Sequence, residues 1–175
     1  MTDGTSELAS ESWLICLAQN YGPLLTSGAI LISAAVAVGA IVLNGRSAKR
    51  RATIDLVLNQ RQDQNLVKAR KKVLELQEGN AQFFKYALLE HAGSEENEAI
   101  LIALNTHEFV AAGIREGAFD EKTYKRLRCQ VLIRDWDALA TYVSEFRRTR
   151  NRQTLFKEFE WLATKWKADP LEVDD

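Results

Sequence analysis

The chain carries few residues of the types that catalysis requires. Its two histidines are His91 and His107, and its two cysteines are Cys16 and Cys129. Nucleophilic catalysis needs a serine or cysteine beside a base, and nothing in the sequence places Cys129 beside either histidine. Phosphate-binding loops need glycines bunched ahead of a helix, whereas the nine glycines here are scattered. We therefore expect no enzyme active site, no metal site and no cofactor.

One group of polar residues lies on an otherwise apolar segment. Asn105 and Glu108 are three residues apart and so share a helix face, and Glu160 lies on a later segment. An arginine from positions 147–152 could meet them inside a helical bundle. A catalytic or metal pair would need a second helix carrying carboxylate and histidine residues, which the sequence lacks. We therefore predict that Asn105, Glu108 and Glu160 form a buried polar network, with a ligand or hydrolytic site as the alternative.

An uncharged apolar stretch of 22 residues runs from position 22 to position 43. A helix of that length covers about 33 Å, enough to cross a hydrocarbon core of about 30 Å. A membrane anchor is therefore predicted, and a buried helix in a soluble core is the alternative. The residues expected to hold the anchor in lipid are Gly22, Leu25, Ile30, Leu31, Ile32, Val36, Val38, Ile41, Val42 and Leu43.

Small residues recur every four positions in this stretch, at Ala29, Ser33 and Ala37. Such spacing lets two membrane helices approach closely. Alanine and serine are also common in a lone membrane anchor. Self-association through this helix and a single lipid-facing helix therefore both stay open.

Charge placement predicts the orientation of the anchor. Residues 1–45 hold no lysine or arginine, and basic residues follow at Arg46, Lys49, Arg50 and Arg51. Because cytoplasmic flanks are usually the basic ones, we expect the N-terminus outside an inner membrane and the remainder in the cytoplasm. A second basic cluster consists of Arg147, Arg148, Arg150 and Arg152. Both clusters are candidate contacts for anionic groups, and the second also suits the negative end of a helix dipole.

The chain after the anchor predicts an all-α fold of about five or six helices, because apolar residues recur there at spacings of three and four without strand alternation. Ser94 and Asp120 are predicted N-caps. The central helix that follows Ser94 is expected to be apolar nearly all round, Phe109 included. A short helix is expected around residues 83–88, and the last helix is expected to include Leu155 and Phe156. The expected divisions are an outer segment at 1–21, the anchor at 22–45, a helical domain at 46–168 and an acidic tail at 169–175.

Several short motifs occur in the sequence that follows the anchor. They are LNTHE at 104–108, GI at 113–114, DE at 120–121 and FEWL at 159–162. In these motifs, over residues 46–166, the chain resembles a family of uncharacterised bacterial and phage proteins that is catalogued as a domain of unknown function. The resemblance implies one N-terminal membrane helix before a helical cytoplasmic domain, and it implies no activity and no functional site.

An anchor joined to a domain without catalytic residues favours an interaction function. We expect a single-pass membrane protein whose helical domain binds a partner, as an adaptor or regulator. The expected partners are the lipid bilayer and either another protein or a second copy of this chain, and nucleic acid is not expected. The alternative is an oligomeric membrane effector that responds to a small anionic ligand such as a nucleotide, in conflict between bacterium and phage.

Overall fold

The computed structural model describes residues 4–171, and the side chains of residue 27 and of residues 30–171. In this part of the chain, five α-helices account for most residues: α1 Gly4–Gln62, α2 Gln64–Glu78, α3 Glu95–Arg115, α4 Glu121–Arg150 and α5 Lys157–Ala168. Two 3₁₀ turns, Phe83–Ala87 and Leu89–His91, lie between α2 and α3. No strand occurs between residues 4 and 171, so the predicted all-α fold is confirmed.

The chain divides into two units, Met1–Arg46 and Ser47–Asp175. In the first unit, all side chains described from residue 30 onward are exposed, including Ser33 and Ala37. Their helix is long and apolar enough to cross a membrane, and none of its most apolar window is buried in protein. The stretch is therefore not a core helix of the described fold. The predicted anchor residues Gly22 and Leu25, the packing residue Ala29 and the tail residues 172–175 lie outside the side chains that the structure describes.

Side chains at the first turns of α2, α3 and α4 explain where these helices begin. The Ser94 hydroxyl accepts the backbone N–H of Asn97 at 3.2 Å, and Asp120 accepts that of Thr123 at 2.9 Å. Asp63 caps α2 in the same way. Such caps satisfy N–H groups that have no partner within the helix. The predicted N-caps at Ser94 and Asp120 are confirmed.

The core of the second unit draws side chains from all five helices. α2 packs against α3, α3 against α5, and α4 against both α5 and the first 3₁₀ turn. The last turns of α1 contribute Thr53 and Val57, which are 0% and 4% exposed. Large side chains that are fully buried include Ile100, Leu104, Tyr124, Leu132, Leu139, Tyr142, Phe159, Leu162 and Trp166. This packed core fixes the positions of the polar residues described below.

Three local predictions were wrong. The short helix expected near residues 83–88 is a pair of 3₁₀ turns, because Leu88 is extended with a ψ of 153°. The last helix begins only at Lys157, because Phe156 adopts a left-handed conformation with a φ of 56°. The apolar side chains of α3 are not buried on every side of the helix, since Phe109 is 60% exposed and Ile102 is 38% exposed.

Candidate functional site

A buried polar pair joins α3 to α4 in the helical domain. His107 Nε2 lies 3.0 Å from Asp135 Oδ2, and the two residues are only 2% and 5% exposed. The His107 ring stacks on Phe159 with 4.5 Å between ring centroids. Arg134 donates to the other oxygen of Asp135 at 3.1 Å. These contacts account for most of the polar atoms of the pair.

The electrostatics of this pair favour an ionised Asp135. Burial opposes ionisation of the carboxyl group, but the hydrogen bonds and charges of His107 and Arg134 outweigh it and lower the pKa of Asp135. A histidine oriented by an aspartate is suited to proton transfer when a substrate can reach the ring. His107 is enclosed, however, so the pair holds two helices together rather than presenting a base.

The predicted network of Asn105, Glu108 and Glu160 is not formed. Asn105 is exposed, Glu108 accepts backbone N–H groups at the start of α5, and Glu160 pairs with Arg147 at 2.8 Å. The prediction was wrong because Asn105 lies at the α2 side of α3, whereas Glu108 lies at the α5 side. Asn105 and Glu108 were expected to meet an arginine of the 147–152 segment, but Arg147 of that segment pairs with Glu160 instead.

The second basic cluster is largely engaged by its own chain. Arg147 also donates to the backbone oxygen of Leu155 at 2.8 Å. Arg148 pairs with Glu145, and the Arg150 guanidinium lies 5.4 Å from the centre of the Phe146 ring. Arg152 is exposed, as are all four basic residues that follow the apolar stretch: Arg46, Lys49, Arg50 and Arg51. Exposed cations after the stretch therefore stay candidates for anionic contacts.

A groove of about 460 Å³ lies between the last turns of α1, the first turns of α2 and the middle of α3. Phe109 is one of its lining residues, and its exposed ring meets Phe119 edge-on at a centroid distance of 5.8 Å. Exposed aromatic side chains with polar neighbours are typical of protein interaction surfaces. The residues lining this surface, the Phe109 groove, are Leu56, Asn59, Gln60, Asp63, Leu66, Asn105, Thr106 and Phe109.

Sequence reasoning missed the Phe109 groove because it placed Phe109 in the core. A signal was present, since Phe109 follows Asn105 and Thr106 by four and three residues and so shares a helix face with both. Polar residues on that face indicated its exposure. The same reasoning missed Asp135 as the partner of His107, because the two are far apart in sequence.

Clusters that could bind a metal are absent from the part of the chain that the structure describes. No group of three or more histidine, cysteine, aspartate or glutamate side chains comes together there. Cys129 is buried and unpaired with another cysteine.

The fold defines an all-helical domain that follows a helix long and apolar enough to cross a membrane. The chain belongs to the DUF4760 family, a domain of unknown function, whose family model matches residues 27–166. Searches of the curated proteins and of the solved structures found no match. The family match covers both the end of the apolar stretch and the helical domain, so the two occur together as one family unit.

Proposed function

We propose that this protein is a single-pass inner-membrane protein that acts as an adaptor or regulator. The apolar stretch at 22–43 crosses the bilayer with the N-terminus outside, and the domain that follows lies in the cytoplasm. Support comes from the exposure of the apolar side chains between 30 and 43 and from the basic residues directly behind them. Exposed apolar side chains are expected where a helix contacts lipid tails, and basic residues are expected where it leaves the membrane on the cytoplasmic side.

The Phe109 groove carries the second half of the proposal, that the domain binds a protein partner. Phe109 lines this groove and exposes 60% of its surface. Removing such apolar surface from water is the main driving force of protein association. An enzymatic function is not proposed, because the histidine–aspartate pair of the domain is enclosed.

Comparative purification from the native membrane tests this proposal. The full-length protein, its Phe109→Ser variant and a Leu127→Ser control are purified by the same tag, Leu127 being 47% exposed on α4 and outside the groove. A partner of the groove should be recovered with the wild type and the control and reduced at least about tenfold with Phe109→Ser. Equal recovery with all three proteins would contradict the groove, and hydrolysis of nucleotide, nucleic acid or lipid at enzymatic rates would contradict the adaptor.

The oligomeric effector is the alternative function, and no contact among the described residues favours it. Its proposed anionic contacts at 147–152 are mostly occupied by Glu160, Glu145 and Phe146. It also requires several anchors to pack together through the small residues of the apolar stretch. The molecular mass of the full-length protein in detergent separates the two functions, because a monomer leaves no assembly for an effector to regulate.

A further inference from the structure

The helical domain holds buried side-chain nitrogens that have no hydrogen-bond partner. Within the described residues, the unpartnered buried side-chain atoms are all nitrogens: Gln60 Nε2, Arg70 Nε, Gln77 Nε2, His107 Nδ1 and Arg128 Nε. The arginine and glutamine atoms are obligatory donors. Buried donors are normally paired, because leaving one unpaired forfeits its hydration. The four arginine and glutamine donors therefore call for acceptors from outside the chain.

Two of these donors belong to residues that line one small cleft between α2 and α4. Arg70 and Gln77 face Arg134 and Asp135 across a volume of about 40 Å³. Because one water needs about 10–15 Å³ of such volume, this space holds roughly three waters or a single tetrahedral anion of similar size. The other four lining residues are all apolar: Val73, Leu74, Ala103 and Val131. The cleft thus combines four polar or charged side chains with four apolar ones.

Positive charge exceeds negative charge around this cleft. Arg128 lies seven residues before Asp135 on α4, and thus on the same helix face. Burial and the nearby charge of Arg128 both lower the pKa of Arg70. Asp135 is the one carboxylate among the cleft's lining residues, and His107 and Arg134 already hold its two oxygens. Neither Arg70 nor Arg128 therefore receives a carboxylate of its own from the cleft.

We propose that the cleft is a binding site for a small free oxyanion of the size of inorganic phosphate. Arg70 supplies guanidinium N–H groups and Gln77 supplies its amide N–H from the cleft lining. Arg128 does not line the cleft and adds its positive charge beside Arg70. Guanidinium groups pair with phosphate oxygens through two parallel hydrogen bonds, which satisfies buried donors and neutralises charge in one step. The proposal is independent of the Phe109 groove and of partner binding, and it goes beyond both.

The proposal favours a free anion over a lipid headgroup because of the size and placement of the cleft. A volume of about 40 Å³ admits one tetrahedral group and leaves no room for the glycerol and acyl chains attached to a headgroup. The basic residues at positions 46–51, which we propose to face lipid, do not line it. Binding should therefore occur in a bilayer of neutral lipid.

Equilibrium dialysis with labelled inorganic phosphate tests the site directly. The full-length protein is placed in phosphatidylcholine nanodiscs in chloride buffer of constant ionic strength. Four proteins are compared: the wild type, Arg70→Gln, Arg128→Gln and the control Arg126→Gln, which removes an exposed charge from the same helix as Arg128. The wild type and the control should bind one phosphate per chain saturably, and the other two should bind at least about tenfold more weakly.

Thermal unfolding supplies a second readout that separates binding from a general effect of phosphate. Phosphate stabilises most proteins by exclusion from their surface, which should raise the melting temperature of all four proteins alike. Binding adds a further increase that only the wild type and the Arg126→Gln control should show. A wild type without saturable phosphate binding would overturn the proposal even if a variant fails to fold. Equal binding by all four proteins would also overturn it, as would an Arg128-dependent increase seen only with phosphatidylglycerol nanodiscs.

Discussion

The carboxylate of Glu108, on α3, accepts the backbone N–H of Phe159, on α5, at 2.8 Å. The same carboxylate accepts the N–H of Glu158 at 3.3 Å. α5 has no N-cap side chain of its own, because Phe156 precedes it in a left-handed conformation without a side-chain hydrogen bond. Glu108 therefore supplies from another helix the acceptor and the negative charge that a helix start requires.

Removing this external cap should destabilise the domain. We expect Glu108→Ala to lower the free energy of unfolding by about 1–2 kcal/mol, because two N–H groups of α5 lose their acceptor. Asn105→Ala is the matched control, since Asn105 is exposed on the same helix, and its change should stay within about 0.5 kcal/mol. Urea unfolding of the full-length protein, followed by tryptophan fluorescence, measures both. Equal losses in the two variants would refute the cap.

Asp135 should make the stability of the domain depend on pH in acid. Its folded-state pKa is lowered, as is that of Asp120, which accepts hydrogen bonds from its neighbour Thr123. A lowered pKa means that the stabilisation is complete above the unfolded value of about 4 and is lost as pH falls through the folded value. Urea unfolding at a series of pH values should therefore show a falling free energy of unfolding below about pH 4.

Asp135→Asn tests the origin of that dependence. At pH 7 we expect a loss of about 3–5 kcal/mol, because the buried His107 and the Arg134 guanidinium lose their carboxylate partner. The acid-induced loss of stability should also become smaller in this variant. Asp137→Asn is the control, because its side chain is 57% exposed and little change is expected. An unchanged acid dependence in Asp135→Asn would show that other carboxylates are responsible.

Gly113 is required by close packing of α3 against the turn that follows it. A Cβ atom at this position would lie 2.4 Å from the Phe119 ring. Gly113→Ala should therefore displace Phe119 and lower the free energy of unfolding by about 1–3 kcal/mol. Gly45→Ala is the control, because a Cβ there meets nothing within 4 Å, and alanine in a helix should stabilise it by about 0.5–1 kcal/mol. Chemical denaturation of both variants measures the difference, and a neutral Gly113→Ala would contradict the packing.

The starts of α3 and α4 were predictable because their signals are local. Ser94 and Asp120 each act on N–H groups within three residues, so the sequence alone contains the interaction. The face of α3 that meets α4 was not predictable, because it depends on packing between distant segments. The partner of His107, Asp135, was therefore missed, and Phe109 was misplaced. The left-handed turn at Phe156 also has no local signal, since glycine or asparagine usually occupies such a conformation.

The central claim, that residues 22–43 cross the membrane with the helical domain inside, is tested most directly by cysteine labelling in intact cells. Cys16 precedes the apolar stretch, and Cys129 is buried and should stay unreactive in the folded protein. After mild reduction, a membrane-impermeant maleimide should label Cys16 of the wild type before lysis. In a Cys16→Ser/Gln130→Cys variant, whose new thiol replaces an exposed residue, labelling should appear only after lysis. The reverse pattern, or labelled protein in the soluble fraction without detergent, would contradict the account.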